Sequence, residues 1–318
     1  MLGSTLNRID KQEVRERLET ANNAEGLVLW SGGNKAYVLV GPDERLLPLP
    51  GRWRKGSTGI KPVAAGDRVS LVKAGGEWRI KDLLPRHNEF TRREPGPKPY
   101  PQTVAANLER VLVIASIAEP ATPFGLVDRL ITTAITGGVA CDLVVNKIDI
   151  ADANDLKRWN DNYGRTFDLF LTSAETGAGM KELSRQIAGG VILFMGSSGV
   201  GKSSLVNRLY PGLNLKVKRV SSATGKGVHT TSVAQLHRLP SGLFIGDTPG
   251  LRECGLWGVT PALLLQAFPE MVALAEDCRF RNCRHAGDTG CAVKPLSGTD
   301  RLPEARYQSY LKLLLETV

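Results

Sequence analysis

The sequence predicts a multidomain chain with an all-β barrel of the OB type, a central α/β domain and a mostly α-helical C-terminal module. Three observations predict this fold class. Short strand-like runs separated by turn residues fill the first quarter of the chain, and strands and helices alternate after it. Near the end, three cysteines and a histidine lie within 14 residues, a spacing typical of a small metal-bound module.

Composition and charge limit the functional classes. The 318 residues are 42% hydrophobic, and no apolar run approaches the roughly 20 residues that span a bilayer. The charged N-terminus does not fit a signal peptide, so we expect a cytoplasmic monomer without membrane contact. The net charge is +9, and the first 100 residues hold 18 Lys and Arg against 12 Asp and Glu. That excess favours a nucleic-acid partner, although basic proteins without one are also common.

Residues 1–98 form the first predicted domain, with a short helix near 10–21 followed by strands at 26–31, 36–40, 68–73 and 77–84. Several short strands without a strong helix favour an OB-fold, and other small barrels stay open. The run 92–102, rich in proline and charge, predicts an interdomain linker that cannot continue a sheet. RNA contacts on the barrel would come from tryptophans and neighbouring basic residues, although each Trp is more often a core residue. The candidates are Trp30, Trp53, Trp78, Arg52, Arg54, Lys55 and Arg79.

Residues 99–255 form the second predicted domain, a parallel sheet covered by helices. The segment Gly196-Ser197-Ser198-Gly199-Val200-Gly201-Lys202-Ser203-Ser204 follows an apolar strand and opens a helix. This is the context that G-x-x-x-x-G-K-S requires for a phosphate-binding loop. Backbone N–H groups would surround the phosphates, Lys202 would neutralise the β and γ oxygens, and the Ser203 hydroxyl would ligate Mg²⁺.

A second motif selects the base. Asn146-Lys147-Ile148-Asp149 ends a predicted strand, and the Asp149 carboxylate can accept both N1–H and the 2-amino group of guanine. Asn146 would hold the loop and touch the base, and the Lys147 stem would lie along it. Downstream, after Thr172, the pair Ser173-Ala174 would offer the Ala174 N–H to guanine O6. The alternative for each motif is an ordinary polar turn after a strand.

The γ-phosphate motifs complete the set. Asp247-Thr248-Pro249-Gly250 fits D-x-x-G, with Asp247 reaching Mg²⁺ through water and the Gly250 N–H contacting the γ-phosphate. Between the two phosphate motifs lies a polar first switch, in which Thr230 or Thr231 would ligate Mg²⁺. The sequence does not choose between these two threonines.

The order of the motifs is unusual, because N-K-I-D precedes the phosphate loop and D-T-P-G closes the domain. Ordinary small GTPases place the phosphate loop first, so the domain is circularly permuted. Together with its flanking pieces, the chain resembles the RsgA family of circularly permuted GTPases over nearly its whole length. The resemblance implies a factor in late maturation of the small ribosomal subunit, with that subunit, its rRNA and GTP or GDP as partners and with subunit-stimulated hydrolysis.

Residues 256–318 form the third predicted domain. Cys278, Cys283, His285 and Cys291 supply three thiolates and an imidazole, the ligand set of a closed, structural Zn²⁺ site. The alternative is three free cysteines beside an uninvolved histidine. The resembled family has the same spacing in its zinc module. A final helix within 303–318 should pack on this module through Tyr307, Tyr310, Leu311, Leu314 and Leu315.

Two competing functions stay open at this stage. One is a non-enzymatic RNA-binding assembly factor with a structural nucleotide site, which the intact Lys202, Ser203 and Asp247 disfavour. The other is an ATPase or kinase, which N-K-I-D disfavours. The water-orienting group is not identified, because Leu251 follows D-x-x-G where Ras-like enzymes have Gln. Many members of the family also carry a histidine where Gly258 stands here, which leaves His229, RNA or a partner residue to position water.

Overall fold

In a computed structural model of the chain, the structure describes residues 23–53, 63–94, 100–187, 189–213, 215, 234–248 and 254–317. The helix predicted near residues 10–21 lies outside these ranges. Within them, no helix has both the length and the apolar character needed to cross a membrane.

An antiparallel sheet with strand order β3-β2-β1-β4-β5 forms the N-terminal unit. Irregular pairing between Val28 and Trp30, and again after Ser70, bends the sheet. Inward-facing side chains such as Val38 and Leu71 are buried, so the sheet curls around an apolar core. This barrel-like sheet confirms the predicted all-β unit. Its strands are β1 (Asn23–Gly32), β2 (Lys35–Val40), β3 (Asp43–Pro48), β4 (Arg68–Ala74) and β5 (Glu77–Leu83).

A hairpin of β6 (Glu89–Arg93) and β7 (Pro101–Ala106) connects the barrel to the central domain. The prediction that run 92–102 cannot continue a sheet is wrong at both ends, since Arg92 and Arg93 end β6 and Pro101 begins β7. Proline is tolerated at the first position of a strand, where the missing N–H costs little. The hairpin pairs residues on both sides of the expected boundary between 98 and 99.

The central unit is a sheet with order β10-β9-β8-β11-β13-β12, parallel except for β12, which runs antiparallel to β13. Its central strands β8, β9 and β11 are almost entirely apolar and buried, as expected for a sheet covered on both faces. The strands are β8 (Arg110–Ser116), β9 (Cys141–Asn146), β10 (Leu169–Leu171), β11 (Val191–Met195), β12 (Gln235–Arg238) and β13 (Phe244–Asp247). The helices are α1 (Phe124–Thr136), α2 (Ala153–Tyr163), α3 (Met180–Gln186) and α4 (Lys202–Leu209).

Three helices and an irregular loop region form the C-terminal unit: α5 (Pro261–Gln266), α6 (Pro269–Ala275) and α7 (Glu304–Leu314). Helix α7 buries Tyr307, Tyr310 and Leu314 as predicted. Leu315, also expected to pack, is 87% exposed, because the helix ends one residue earlier. The helices of this module and its Cys/His cluster confirm the predicted fold class.

Candidate nucleotide and metal sites

The predicted nucleotide motifs follow four strands of the central sheet. Strands β9, β10, β11 and β13 are linked by parallel pairing through β8, so their carboxyl ends share one edge. Open α/β sheets bind ligands at that edge. The permuted chain order therefore does not separate the motifs in space.

The phosphate-loop motif connects β11 to α4 through glycines that no other residue could replace without strain. Gly199 and Gly201 have φ of 85° and 94°, in the left-handed region. A Cβ at Gly201 would lie 2.3 Å from Asn146 Nδ2, and one at Gly196 would lie 2.3 Å from the Ile114 carbonyl oxygen. Val200 is buried, and Ser203 and Ser204 lie in the first turn of α4.

Lys202 lies at the start of α4 and is only 8% exposed. Its Nζ donates hydrogen bonds to the carbonyl oxygens of Gly196 and Ser197, at 2.8 and 2.9 Å. Burial lowers the pKa of Lys202, and the charge of Asp247 opposes this shift. Burial likewise raises the pKa of Asp247, which Lys202 opposes. The Lys202 ammonium and the Asp247 carboxylate therefore each affect the pKa of the other at this edge of the sheet.

Asn146 joins the phosphate loop to the guanine-motif loops. Its Nδ2 donates to the Val200 carbonyl at 2.9 Å, and its Oδ1 accepts from the Ala174 N–H at 3.1 Å. The Ala174 amide, predicted to face guanine O6, thus bonds to Asn146 in this structure. Asn146 is 2% exposed, and its bond to Val200 is buried while its bond to Ala174 is partly buried.

The rest of the guanine motif is held by its neighbours. Asp149 is exposed and accepts a hydrogen bond from the Ser173 hydroxyl, while the Ile148 N–H donates to the Thr172 carbonyl at 3.2 Å. Lys147 has a φ of 67°, and its ammonium group bonds the Glu119 carbonyl. The N-K-I-D segment and the Ser173-Ala174 loop are therefore in direct contact.

Asp247 ends β13 beside Phe194, one residue before the end of β11. The next residue, Thr248, is buried and donates to the Phe194 carbonyl at 3.2 Å. This fixes the start of the D-x-x-G loop against the strand that leads into the phosphate loop. The other γ-phosphate candidates lie outside the described residues: Thr230, Thr231 and Gly250, together with His229 and Leu251.

The four predicted metal ligands meet in the C-terminal unit. The ligand atoms of Cys278, Cys283, His285 and Cys291 all lie within 4.8 Å of one another. His285 Nδ1 is 3.6 Å from Cys278 Sγ and 3.8 Å from Cys291 Sγ. A tetrahedral zinc with ordinary bond lengths places nitrogen and sulfur ligands about 3.6 Å apart and two sulfurs about 3.8 Å apart. The two distances from His285 are therefore close to those of tetrahedral coordination, and the four residues could hold a metal ion.

The surroundings of this cluster fix its ligands. The Tyr307 hydroxyl donates to the His285 carbonyl at 2.8 Å, and His285 has a φ of 59°. The Ala292 and Lys294 amides donate to Cys278 Sγ and Cys291 Sγ, at 3.3 and 3.4 Å. Partial burial and hydrogen bonds with the other two thiols raise the pKa of Cys283 to about 12.

Sequence reasoning missed the joint between the C-terminal unit and the central domain. Arg306 of α7 is fully buried and donates to Asp128 of α1 and to both carboxylate oxygens of Glu270, at 2.6 and 3.2 Å. Its guanidinium lies 4.3 Å from the Phe268 ring centroid and 5.3 Å from that of Tyr163. No sequence pattern distinguishes this arginine from a solvated one, because its two carboxylate partners, Asp128 and Glu270, are far from each other along the chain.

Comparison with known proteins identifies close relatives. A family model described as RsgA GTPase matches residues 83–257. The small ribosomal subunit biogenesis GTPase RsgA of Gemmatimonas aurantiaca is 37% identical over 293 residues, covering 91% of this chain and 95% of that protein. The protein of the same name from Moorella thermoacetica is 36% identical over 303 residues, covering 92% and 97%.

Solved structures agree with this result. The crystal structure of YjeQ from Thermotoga maritima matches with a TM-score of 0.72 and 27% identity, covering 92% of this chain and 98% of that one. YloQ, described as a circularly permuted GTPase, has the same fold, with a TM-score of 0.67 and 22% identity over 92% and 94% of the two chains.

Proposed function

This chain belongs to the RsgA GTPase family, and we propose that it binds the small ribosomal subunit, assists its late maturation, and hydrolyses GTP to GDP and phosphate with stimulation by that particle. The relatives that match nearly its whole length are named small ribosomal subunit biogenesis GTPases. The observation that carries the enzymatic part is Asn146, which bonds both the phosphate loop and the Ser173-Ala174 loop.

In this proposal, different residues at the edge of the sheet bind different parts of the nucleotide. The loop from Gly196 to Ser204 surrounds the phosphates, and the Lys202 ammonium, already inside the loop, offsets their charge. Asp149 selects guanine, while the hydroxyl of Ser173 orients its carboxylate. Ser203 and Asp247 hold Mg²⁺, with Thr230 or Thr231 as a further ligand and the Gly250 N–H on the γ-phosphate. The bound Mg²⁺ supplies charge neutralisation for the phosphate oxygens.

The Cys278, Cys283, His285 and Cys291 cluster holds one structural Zn²⁺, with Nδ1 as the histidine donor. The distances between donor atoms support this assignment. The ligand set leaves no open position, so the ion stabilises the module and takes no part in hydrolysis.

The three predicted domains take separate tasks in this proposal: residues 1–98 bind rRNA, residues 99–255 bind and hydrolyse GTP, and residues 256–318 form the zinc module. The protein works as a cytoplasmic monomer in this proposal.

The test is GTP turnover, followed as released phosphate, with the free protein and with purified small subunits. Large subunits at the same concentration serve as the control for nonspecific RNA effects. We expect acceleration by small subunits only. Equal rates with and without small subunits would contradict the proposed ribosomal partner, while absence of any turnover would contradict the enzymatic assignment.

A further inference from the structure

The loop that carries the metal ligands presents an exposed aromatic ring among arginines. We define the metal-loop patch as Arg279, Phe280, Arg281 and Arg284. All four residues are exposed, and Phe280 is 48% exposed although it lies two residues from a predicted metal ligand. The core of this module is formed by other residues, among them Leu264, Phe268 and Tyr310, so Phe280 is not needed to fill it.

The patch is held in place before any partner binds. Cys278 and Cys283 flank its first three residues within the metal cluster. The Arg279 N–H donates to the Gly290 carbonyl at 3.0 Å, and the Phe280 carbonyl accepts from the Cys283 N–H at 3.2 Å. The Tyr310 hydroxyl donates to the Arg284 carbonyl at 3.0 Å. An exposed ring on a fixed loop loses little conformational entropy on binding.

The patch also favours a negatively charged ligand. Within the part of the chain that the structure describes, no carboxylate forms an ion pair with Arg279, Arg281 or Arg284. The Arg279 guanidinium lies 5.3 Å from the Phe280 ring centroid, over the ring. This arrangement places positive charge next to a flat apolar surface, which suits a ligand that combines a planar base with a phosphate.

We propose that the metal-loop patch binds an unpaired nucleotide of RNA, with the base stacked on Phe280 and the flanking phosphates contacted by Arg281 and Arg284. This inference rests on the proposed function, because the RNA is taken to be that of the small subunit. An unpaired nucleotide is favoured over duplex RNA, since a base inside a helix has no free face to stack on a side chain. An acidic peptide would satisfy the arginines but would leave the ring without a planar partner.

The test measures binding of the full-length protein to a fluorescent twelve-nucleotide single-stranded RNA and to a duplex of the same length. Phe280→Ala should raise the Kd for the single strand by about 5- to 150-fold, which is the range for loss of one stacked base. Its effect on duplex binding should be much smaller. Arg281→Gln should lower the slope of log K against log salt by about 1, as expected for one phosphate contact.

Val272→Ala is the matched control, because Val272 is also exposed in this module, at 40%, but lies on α6 outside the patch. Zinc content and GTP affinity should stay unchanged in all three variants, which shows that the module is folded. The proposal would be overturned if Phe280→Ala bound the single-stranded RNA with the same Kd as the unaltered protein. So would a variant that loses affinity for small subunits but not for single-stranded RNA, since that result points to a protein partner. Failure of the ribosomal function itself would appear separately, as absent stimulation of the unaltered protein.

Discussion

At the scale of single residues, the nucleotide site depends on side chains that fix its loops as well as on the groups expected to touch GTP. The buried Asn146 side chain makes hydrogen bonds to two different loops. Gly201 leaves the space that Asn146 Nδ2 occupies. Asn146 and Gly201 therefore each have a second role that their motif patterns do not specify. Loss of either residue would displace the loops as well as remove a contact.

Guanine selection should depend on Asp149. Asp149→Asn replaces a two-oxygen acceptor by an amide, so GTP binding should weaken by about 2 to 3 kcal/mol, measured by titration of a fluorescent nucleotide. Xanthosine triphosphate should lose less or gain, because xanthine has a carbonyl where guanine has its 2-amino group, and the amide can donate to it. Asp161→Asn is the control, since Asp161 lies on α2 in an exposed pair with Lys157. Unchanged GTP affinity in Asp149→Asn would remove the guanine assignment.

At the scale of elements, the sequence predicts the features that depend on residues close together along the chain. The alternation of apolar strands and helices, the loop after β11 and the Cys/His spacing each depend on neighbouring residues, and each appears in the structure. The β6–β7 hairpin was missed because its strands pair across a proline-rich segment that suggests a linker. The Arg306 joint was missed because its partners come from α1 and α6, which only the tertiary fold brings together.

The metal module should fold only with its ion. Elemental analysis should give one Zn²⁺ per chain, and Cys283→Ser should lower this content and make the C-terminus sensitive to protease, because metal binding and folding of a small module are coupled. Nucleotide binding should survive. Cys141→Ser removes a cysteine from β9 and should leave the zinc content unchanged. A metal-free protein with an equally resistant C-terminus would contradict this prediction.

The joint between α7 and α1 should be a major source of stability. Arg306→Ala leaves the buried Asp128 and Glu270 carboxylates without their cation, which should lower the free energy of unfolding by about 3 to 5 kcal/mol in urea titration. Arg306→Lys should not restore the loss, because an ammonium cannot bind both carboxylates in the geometry of the guanidinium fork. Arg165→Ala, which breaks an exposed pair with Asp300, should change stability by at most about 0.5 kcal/mol. Equal urea midpoints for Arg306→Ala and Arg165→Ala would show that the joint is not a stabilising contact.

At the scale of the whole molecule, the three units are joined by buried contacts as well as by the chain. Leu29 and Ala65 of the N-terminal unit and Phe90 of the hairpin pack in the same core as Val111 and Leu193 of the central sheet. At the other side, Arg129 of α1 pairs with Glu316 and bonds the Cys254 carbonyl at 3.4 Å, just beyond the D-x-x-G region. A partner that moves the N-terminal or C-terminal unit would therefore also displace residues of the nucleotide domain that pack against that unit.

We expect slow GTP turnover in the free protein, because the sequence lacks a water-orienting side chain directly after D-x-x-G. We expect faster turnover on the small subunit, because the contacts between units connect a bound partner to the nucleotide domain. The sequence places Leu251 where a water-orienting Gln would stand, and Gly258, with a φ of 65°, has no side chain to substitute for it. Neither position can orient the attacking water. We therefore expect free protein to hydrolyse GTP well below about 1 s⁻¹, the lower end of typical enzyme rates. Small subunits should raise the rate severalfold or more.

Lys202→Ala should abolish both activities, since Lys202 is the cation inside the phosphate loop. Arg301→Ala, which removes an exposed cation of the C-terminal unit, serves as a charge-matched control and should keep both rates. Single-turnover measurements with radiolabelled GTP would separate hydrolysis from GDP release, so that a change in either step can be assigned. Fast turnover without small subunits would show that the chain itself orients the attacking water, and would exclude the partner-dependent mechanism even if the nucleotide site were confirmed.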